Sequence, residues 1–218
     1  MFLQAIPASV AALLKKVKDL PIPDDTFLAG GTAAALYLGH RESIDIDLFT
    51  NESFDVLNLE YFLKSTFNYE VLTEKQDTLL CYLDGVKFSL FKYPYRNLEP
   101  ALYEDHFQIK IASPLDIVLM KIIAIYQRGE AKDFIDVKFL MERYNYSFPL
   151  LAEKLFVKYL IDPNVLYQIK KSIVYFDDAE RNRDTVVLLK NGKRMPLSED
   201  EWNEVKKFFE QILKSHYE

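Results

Sequence analysis

The chain has 218 residues, half of them apolar and 28% charged, enough for one large domain or two small ones with a well-filled core. Its formal net charge of −6 excludes a general nucleic-acid binder acting through an overall positive field, so contact with RNA or DNA requires a local basic patch. Cys81 is the single cysteine, which excludes an internal disulfide and suits a reducing cytoplasm; no apolar run approaches the ~20 residues needed to cross a bilayer.

The first residues lack the basic n-region and cleavage pattern of a secretory signal, and Val10, Leu13, Leu14, Val17 and Leu20 have amphipathic helical spacing. The expected location is the cytoplasm. Next come Ala29-Gly30-Gly31-Thr32, and residues 32–38 read as a helix opening after Gly31 and stopped by Gly39. Ser43-Ile44-Asp45-Ile46-Asp47-Leu48-Phe49 reads as a strand, with Asp45 and Asp47 on one face and Ile44, Ile46 and Leu48 toward the core. Residues 55–67 have helical spacing. Residues 69–73, 79–83 and 86–91 read as strands, the last two joined by an Asp84-Gly85 hairpin turn. Pro94 ends that run, and 107–111 alternates once more.

From Ser113 the period changes. Ser113-Pro114-Leu115-Asp116 carries a cap, a proline at the first helical position and an acid in the first turn. That helix runs to about Gln127, broken by Gly129, and further helices are expected at 131–144, 149–160 and 163–175. Residues 185–189 read as a strand stopped by Asn191-Gly192, and Ser198 with Glu201 forms a capping box for a last helix to about 213. The expected fold class is α+β: a mixed sheet with covering helices in residues 1–112, then a mainly helical half in residues 113–218.

Chemistry concentrates in two places. Two carboxylates aimed at one spot repel unless a cation lies between them, and Mg²⁺ is commonly held by one or two carboxylates plus phosphate oxygens. A helix N-terminus preceded by glycines cradles a phosphate through free N–H groups and the positive dipole end. A Gly-Gly pair alone is usually a turn, and an Asp-x-Asp alone is often a solvated strand face. In this order, separated by one helix, each strengthens the other. The second place is Lys121 with Arg128-Gly129-Glu130-Ala131-Lys132-Asp133-Phe134-Ile135-Asp136, where Asp133 and Asp136 share a helix face. Standing alone, this segment reads as a solvated face with salt bridges. His40 reads as a packed histidine, Arg41 as a solvated loop residue able to grip a phosphate, and Lys15, Lys16, Lys18, Lys170 and Lys171 as solvated helix faces. Most tyrosines read as core or surface filler rather than base-stacking groups.

Gly30-Gly31, a helix, Asp45-x-Asp47 and a helical half together resemble nucleotidyltransferases of the DNA polymerase β superfamily. Within it, the chain resembles the AbiEii/AbiGii toxin-type family through Ala29-Gly30-Gly31-Thr32-Ala33, Leu38-Gly39-His40-Arg41-x-Ser43-x-Asp45-Ile46-Asp47-Leu48-Phe49, Lys121-Ile122-x-Ala124 and Lys132-Asp133-x-x-Asp136. The resemblance spans about residues 25–145. It implies transfer of a nucleoside monophosphate from a nucleoside triphosphate to an acceptor, RNA or tRNA above all, with Mg²⁺ on Asp45 and Asp47. It places Gly30, Gly31, Thr32, Arg41 and Lys132 at the nucleotide, Lys121 on its phosphates, and Asp133 or Asp136 closing the site. It also implies a toxin neutralised by a partner antitoxin. Rival readings are a transferase for an antibiotic-type small molecule and an inactive nucleotide-binding or protein-interaction module. The second of these is raised by Ser89, which with Lys87 on its face stands where the superfamily often has a third acid. Either one metal suffices, or Asp133 and Asp136 supply the charge, or activity is lost.

Overall fold

The computed structural model describes residues 1–217. An N-terminal helix, α1 (Ala8–Leu14), leads to a two-residue strand β1 (Phe27–Leu28) and helix α2 (Gly30–Leu38). Strand β2 (Ile46–Thr50) follows, then α3 (Val56–Thr66) and the meander β3 (Tyr69–Lys75), β4 (Thr78–Leu83) and β5 (Val86–Lys92). Short strands β6 (Leu102–Glu104) and β7 (Ile109–Ile111) complete a seven-stranded mixed sheet of order β3-β4-β5-β2-β1-β7-β6. β2 lies parallel to β5 and β1 parallel to β7, and the other neighbours are antiparallel.

Alternation explains the sheet. Ile46, Leu48 and Thr50 of β2 are buried, as are Val86, Phe88 and Leu90 of β5, so Asp47, Phe49, Lys87 and Phe91 emerge on the opposite face. Asp84 and Gly85 both have positive φ (50° and 80°), the requirement of a tight two-residue hairpin. The helical half packs on this frame through α4 (Pro114–Gln127), α5 (Ala131–Tyr144), α6 (Phe148–Tyr159), α7 (Pro163–Ser172) and a short α8 (Asp177–Glu180). A hairpin of β8 (Val187–Lys190) and β9 (Lys193–Pro196) precedes the last helix, α9 (Glu199–Tyr217). The Ser113 cap accepts from the Asp116 amide at 3.0 Å, and Glu201 accepts from the Ser198 amide at 3.0 Å, as a capping box requires.

Several expectations need correction. The first helix stops at Leu14, and the remaining apolar positions, Val17 and Leu20, are buried through a 3₁₀ turn at Val17–Asp19. α2 starts at Gly30, not after Gly31. β2 starts at Ile46, so Ile44 precedes the pleat and is 59% exposed instead of facing the core. The strand expected at 107–111 is cut to Ile109–Ile111 because Gln108 has φ 56°. Asn191-Gly192 does not end a lone strand but turns it into β9, with both residues at positive φ. β1 and β6 have two and three residues, too short for an alternation to register.

One hydrophobic cluster runs through both halves of the chain. α9 docks by its apolar stripe: Trp202 and Phe209 meet Phe134 of α5 with centroids 6.0 and 5.2 Å apart, both edge-on. The residues after 145 thereby clamp the helix that carries Asp133 and Asp136. In the helical half, Lys158 of α6 and Asp116 of α4 form a fully buried ion pair at 2.6 Å. Asp116 also accepts from the amides of Leu98 and Glu99, and Lys158 donates to the Arg96 carbonyl at 3.0 Å. Among the described residues, no helix is long and apolar enough to cross a membrane. Replacing one partner of this pair leaves a bare buried charge, so Lys158→Met should cost about 3–5 kcal/mol in urea unfolding, and Lys158→Met with Asp116→Leu should recover part of it.

Candidate functional site

β2 and the glycine turn are locked together. The Ala29 amide donates to the Asp47 carbonyl at 3.0 Å, and Gly30 turns with φ 66°. A Cβ at Gly30 would stand 2.6 Å from Asp47 Oδ2, and one at Gly31 would stand 2.6 Å from Arg41 Nη2. Glycine is therefore required at both positions, at Gly30 by backbone conformation and close approach and at Gly31 by close approach. The first turn of α2 leaves the amides of Gly30, Gly31 and Thr32 without intrahelical acceptors. Thr32 itself is buried; its hydroxyl donates to the Asp45 carbonyl and lies 2.9 Å from Ser43 Oγ, tying α2 to the chain entering β2.

Asp45 and Asp47 line a cleft of about 740 Å³ together with Gly30, Gly31, Lys87, Arg128 and Lys132. Burial and the neighbouring Asp47 carboxylate raise the Asp45 pKa, against the pull of Lys87, Lys132 and Arg41. Ser89 lies directly across from Asp47 in the parallel register and donates to Asp47 Oδ1 at 2.7 Å. It occupies the position of the expected third acid as a hydrogen-bond donor that orients Asp47. Among the described residues, no group of three or more His, Cys, Asp or Glu forms a metal cage.

The second cluster lies behind the cleft wall. Asp133 and Asp136 are wholly buried and do not line the cleft. Asp136 accepts from Arg41 Nε at 2.6 Å, Arg41 Nη2 at 2.8 Å and His40 Nε2 at 2.8 Å, and pairs with Lys121 Nζ at 2.7 Å. Asp133 holds Lys121 at 2.8 Å and Arg128 Nε at 2.8 Å. Burial works against these charges, but the cations outweigh it and hold both carboxyls below their ordinary value, Asp136 well below. Lys121 is buried too, and its pKa is raised because Asp133 and Asp136 overcome the cost of burial. Arg41 is not a solvated loop residue: it is 4% exposed, clamped to Asp136, and its strand-like backbone bridges Leu188 of the β8–β9 hairpin. Lys121 reaches the cleft wall while bound from behind, whereas Lys132 stands at the rim, paired with Glu130 at 2.9 Å.

His40 is a packed histidine. Burial pushes its pKa below the ordinary value despite the Asp136 bond, its ring lies 5.0 Å from Phe139, and Nδ1 has no partner. Arg128 and Glu130 of the second cluster also reach the cleft, as do residues that carry no motif: Phe49, Phe91, Tyr93, Tyr95 and Tyr159. For Phe49 and Phe91, the strand face shared with Asp47 and Lys87 was the available signal. Tyr159, at the end of α6, had none.

Residues 88–215, more than half of the chain, match the protein family described as nucleotidyl transferase AbiEii toxin, type IV TA system. The chain belongs to the AbiEii nucleotidyltransferase family. The matched span takes in the tail after 145, where sequence inspection found no motif, and begins after the glycine–aspartate block. This AbiEii-family chain is also 37% identical over 208 residues to the uncharacterized protein aq_aa25 of Aquifex aeolicus (strain VF5), covering 94% of each. Its fold matches a protein of H. pylori assigned as a nucleotidyltransferase, with TM-score 0.52 and 17% identity over 94% of this chain and 92% of that one. A partial match to the Megavirus polyadenylate synthase has TM-score 0.46 and 13% identity, and covers 63% of this chain but only 32% of that enzyme. It adds nothing to the assignment. The α+β architecture is therefore the polymerase β-like nucleotidyltransferase fold expected from the motifs.

Two predictions follow from the buried network and the turn. Gly30→Ala should destabilise by at least about 1–2 kcal/mol from the left-handed backbone alone, and push Asp47 aside, read as a lowered thermal midpoint. The folded state keeps His40 neutral where the unfolded chain protonates near pH 6.5. Stability should therefore fall as pH drops below about 6.5, with a second loss below about pH 4 as Asp133 and Asp136 resist protonation. In urea titrations across pH, His40→Phe should flatten the upper limb and shrink the lower one without abolishing it, because Arg41 and Lys121 still hold Asp136.

Proposed function

We propose that this protein transfers a nucleoside monophosphate from a nucleoside triphosphate to RNA, as the toxin of a toxin–antitoxin pair. The observation that carries this reading is the contact between the glycine turn and Asp47. It brings free helix-terminal amides and a carboxylate pair to one end of a single cleft.

In this reading the triphosphate lies along Gly30 and Gly31, with Lys132 and Arg128 as the exposed cations over its outer phosphates. Asp45 and Asp47 are the residues that would hold Mg²⁺. The donor set fits a hard cation: two carboxylate oxygens that repel each other, a Ser89 hydroxyl fixing one of them, and room for phosphate oxygens. Such an ion supplies charge stabilisation to an in-line displacement at the α-phosphate. One metal is the consistent reading, because Asp133 and Asp136 are already neutralised by Lys121, Arg41 and Arg128 and have no access to the cleft. Their role is to position Arg41, Lys121 and Arg128. Residues 1–112 would act as the nucleotide-binding unit and 113–218 as the unit that completes the cleft.

The lining charge bears on the acceptor. Five cationic side chains (Arg41, Lys87, Lys121, Arg128, Lys132) line the cleft; Asp133, Asp136 and Glu130 offset three of them and Arg194 offsets Glu42, which leaves Asp45 and Asp47 against the remaining two. A cation on the aspartate pair leaves the remaining wall positive, which suits a polyanion and disfavours an aminated small molecule. The type IV toxin–antitoxin description of the family supports an antitoxin partner.

The test is incubation with Mg²⁺, each labelled triphosphate in turn and total RNA. Wild type should label RNA, and Asp47→Ala should reduce the label about a hundredfold or more, since metal stabilisation is worth several kcal/mol. Absence of triphosphate binding at millimolar concentration would refute the reading.

A further inference from the structure

Beyond the carboxylates, the cleft ends in aromatic side chains that phosphoryl chemistry does not use. Phe91 is on the cleft face of β5, Tyr93 and Tyr95 follow it in the loop, and Tyr159 closes from α6. Tyr95 lies edge-on to Tyr93 (centroids 5.3 Å) and to Tyr159 (4.8 Å), while the Tyr93 and Tyr159 hydroxyls are 2.8 Å apart. The group is fixed from behind. Asn51 Nδ2 donates to the carbonyls of Tyr93 at 2.6 Å and Tyr95 at 3.2 Å. The buried Lys158–Asp116 pair holds the next residues. Yet Tyr95, the outermost ring, stays 39% exposed. The loop is tied down through its backbone carbonyls, and it leaves part of an aromatic ring exposed at a cleft that also carries charged groups.

The strand order assigns this end to one reactant. The glycine turn follows β1 on one side of β2, and β5 with Ser89 and Phe91 lies on the other. In-line displacement puts the acceptor opposite the leaving group. With the pyrophosphate over Gly30 and Gly31, the acceptor hydroxyl must come from the β5 side. Phe91 is two residues past Ser89, about 7 Å along the strand direction, and Tyr93 about 13 Å, so a base seated on Tyr93 or Tyr95 belongs to a nucleotide just before the one whose sugar reaches the aspartates.

We propose that Phe91, Tyr93, Tyr95 and Tyr159 form a stacking seat for the last nucleobases of a single-stranded RNA acceptor. The proposal rests on the nucleotidyl-transfer reading above. Stacking of this kind tolerates any base, because every base has a π-face, so the seat would select a flat, unpaired end rather than a sequence.

The experiment measures equilibrium binding of a short fluorescent single-stranded RNA with a free 3′ end and, separately, of each Mg-nucleoside triphosphate. The proteins are wild type, Tyr95→Ala, Tyr95→Phe and Tyr95→Trp. Tyr95→Ala should lose RNA affinity about 5- to 150-fold, as expected for one stacked base, with triphosphate affinity kept. Tyr95→Phe and Tyr95→Trp should retain RNA binding, and an unchanged thermal midpoint shows that the partly exposed ring is not needed for folding. Unchanged RNA binding by Tyr95→Ala, or a loss confined to the triphosphate, overturns the acceptor seat while leaving nucleotidyl transfer standing. Wild type that binds triphosphate but no RNA also overturns it. Wild type that binds no triphosphate removes the underlying reading, and the seat with it.

Discussion

Asp136 is the residue on which the cleft is assembled. A carboxylate with no exposure would be prohibitively costly if bare, so its four contacts with Arg41, His40 and Lys121 are a condition of folding. Those partners come from different places in the chain: His40 and Arg41 from the segment before β2, Lys121 from α4. Satisfying one carboxylate therefore fixes α5 against the glycine turn, since Arg41 Nη2 abuts Gly31. Asp133 extends the network to Arg128 at the cleft rim. The chain segments that build the cleft are joined at this point by charge as well as by apolar packing.

The C-terminal tail serves the same centre from outside. Leu189 donates its amide to the His40 carbonyl at 2.9 Å, Glu42 donates its amide to the Val187 carbonyl at 2.8 Å, and α9 covers α5 through Phe134. A second buried pair, Lys158 with Asp116, does for the aromatic end of the cleft what Asp136 does for the charged end. Asp136 and Asp116 both lie outside the cleft lining, and each holds a segment whose exposed groups face the cavity. The cleft is thus a rigid recess with two chemistries, hard oxygen and cationic groups at one end and aromatic rings at the other.

Much of the fold was legible in the residue pattern. The β3–β4–β5 meander, the Asp84-Gly85 turn, the Ser113 cap and the helix from Ala131 to Tyr144 all follow from local signals that tertiary contacts reinforce. The misses have physical causes. β1 and β6 exist because neighbouring strands supply their partners, not because of their own two or three residues. Ile44 breaks the alternation because the pleat begins only at Ile46. At the cleft, Asp45, Asp47, Gly30 and Gly31 were visible as a motif, but Tyr93, Tyr95 and Tyr159 were not, since a stacking surface assembled from a loop and a helix end has no spacing rule.

The sequence by itself determined the α+β class, the family resemblance, and the glycine–aspartate pair, because those depend on backbone periodicity and on residues close in the chain. Only the tertiary structure decided the roles of the charged residues in the second half. Asp133, Asp136 and Lys121 have the same spacing whether they face a ligand or each other. Desolvation governs the arrangement: Asp133 and Asp136 are buried against Lys121, Arg41 and Arg128, which neutralise them, while Lys121 still reaches the cleft wall. The same packing turned Arg41 from a loop cation into the bridge beneath Gly31 and set Ser89 against Asp47 as a hydrogen-bond donor.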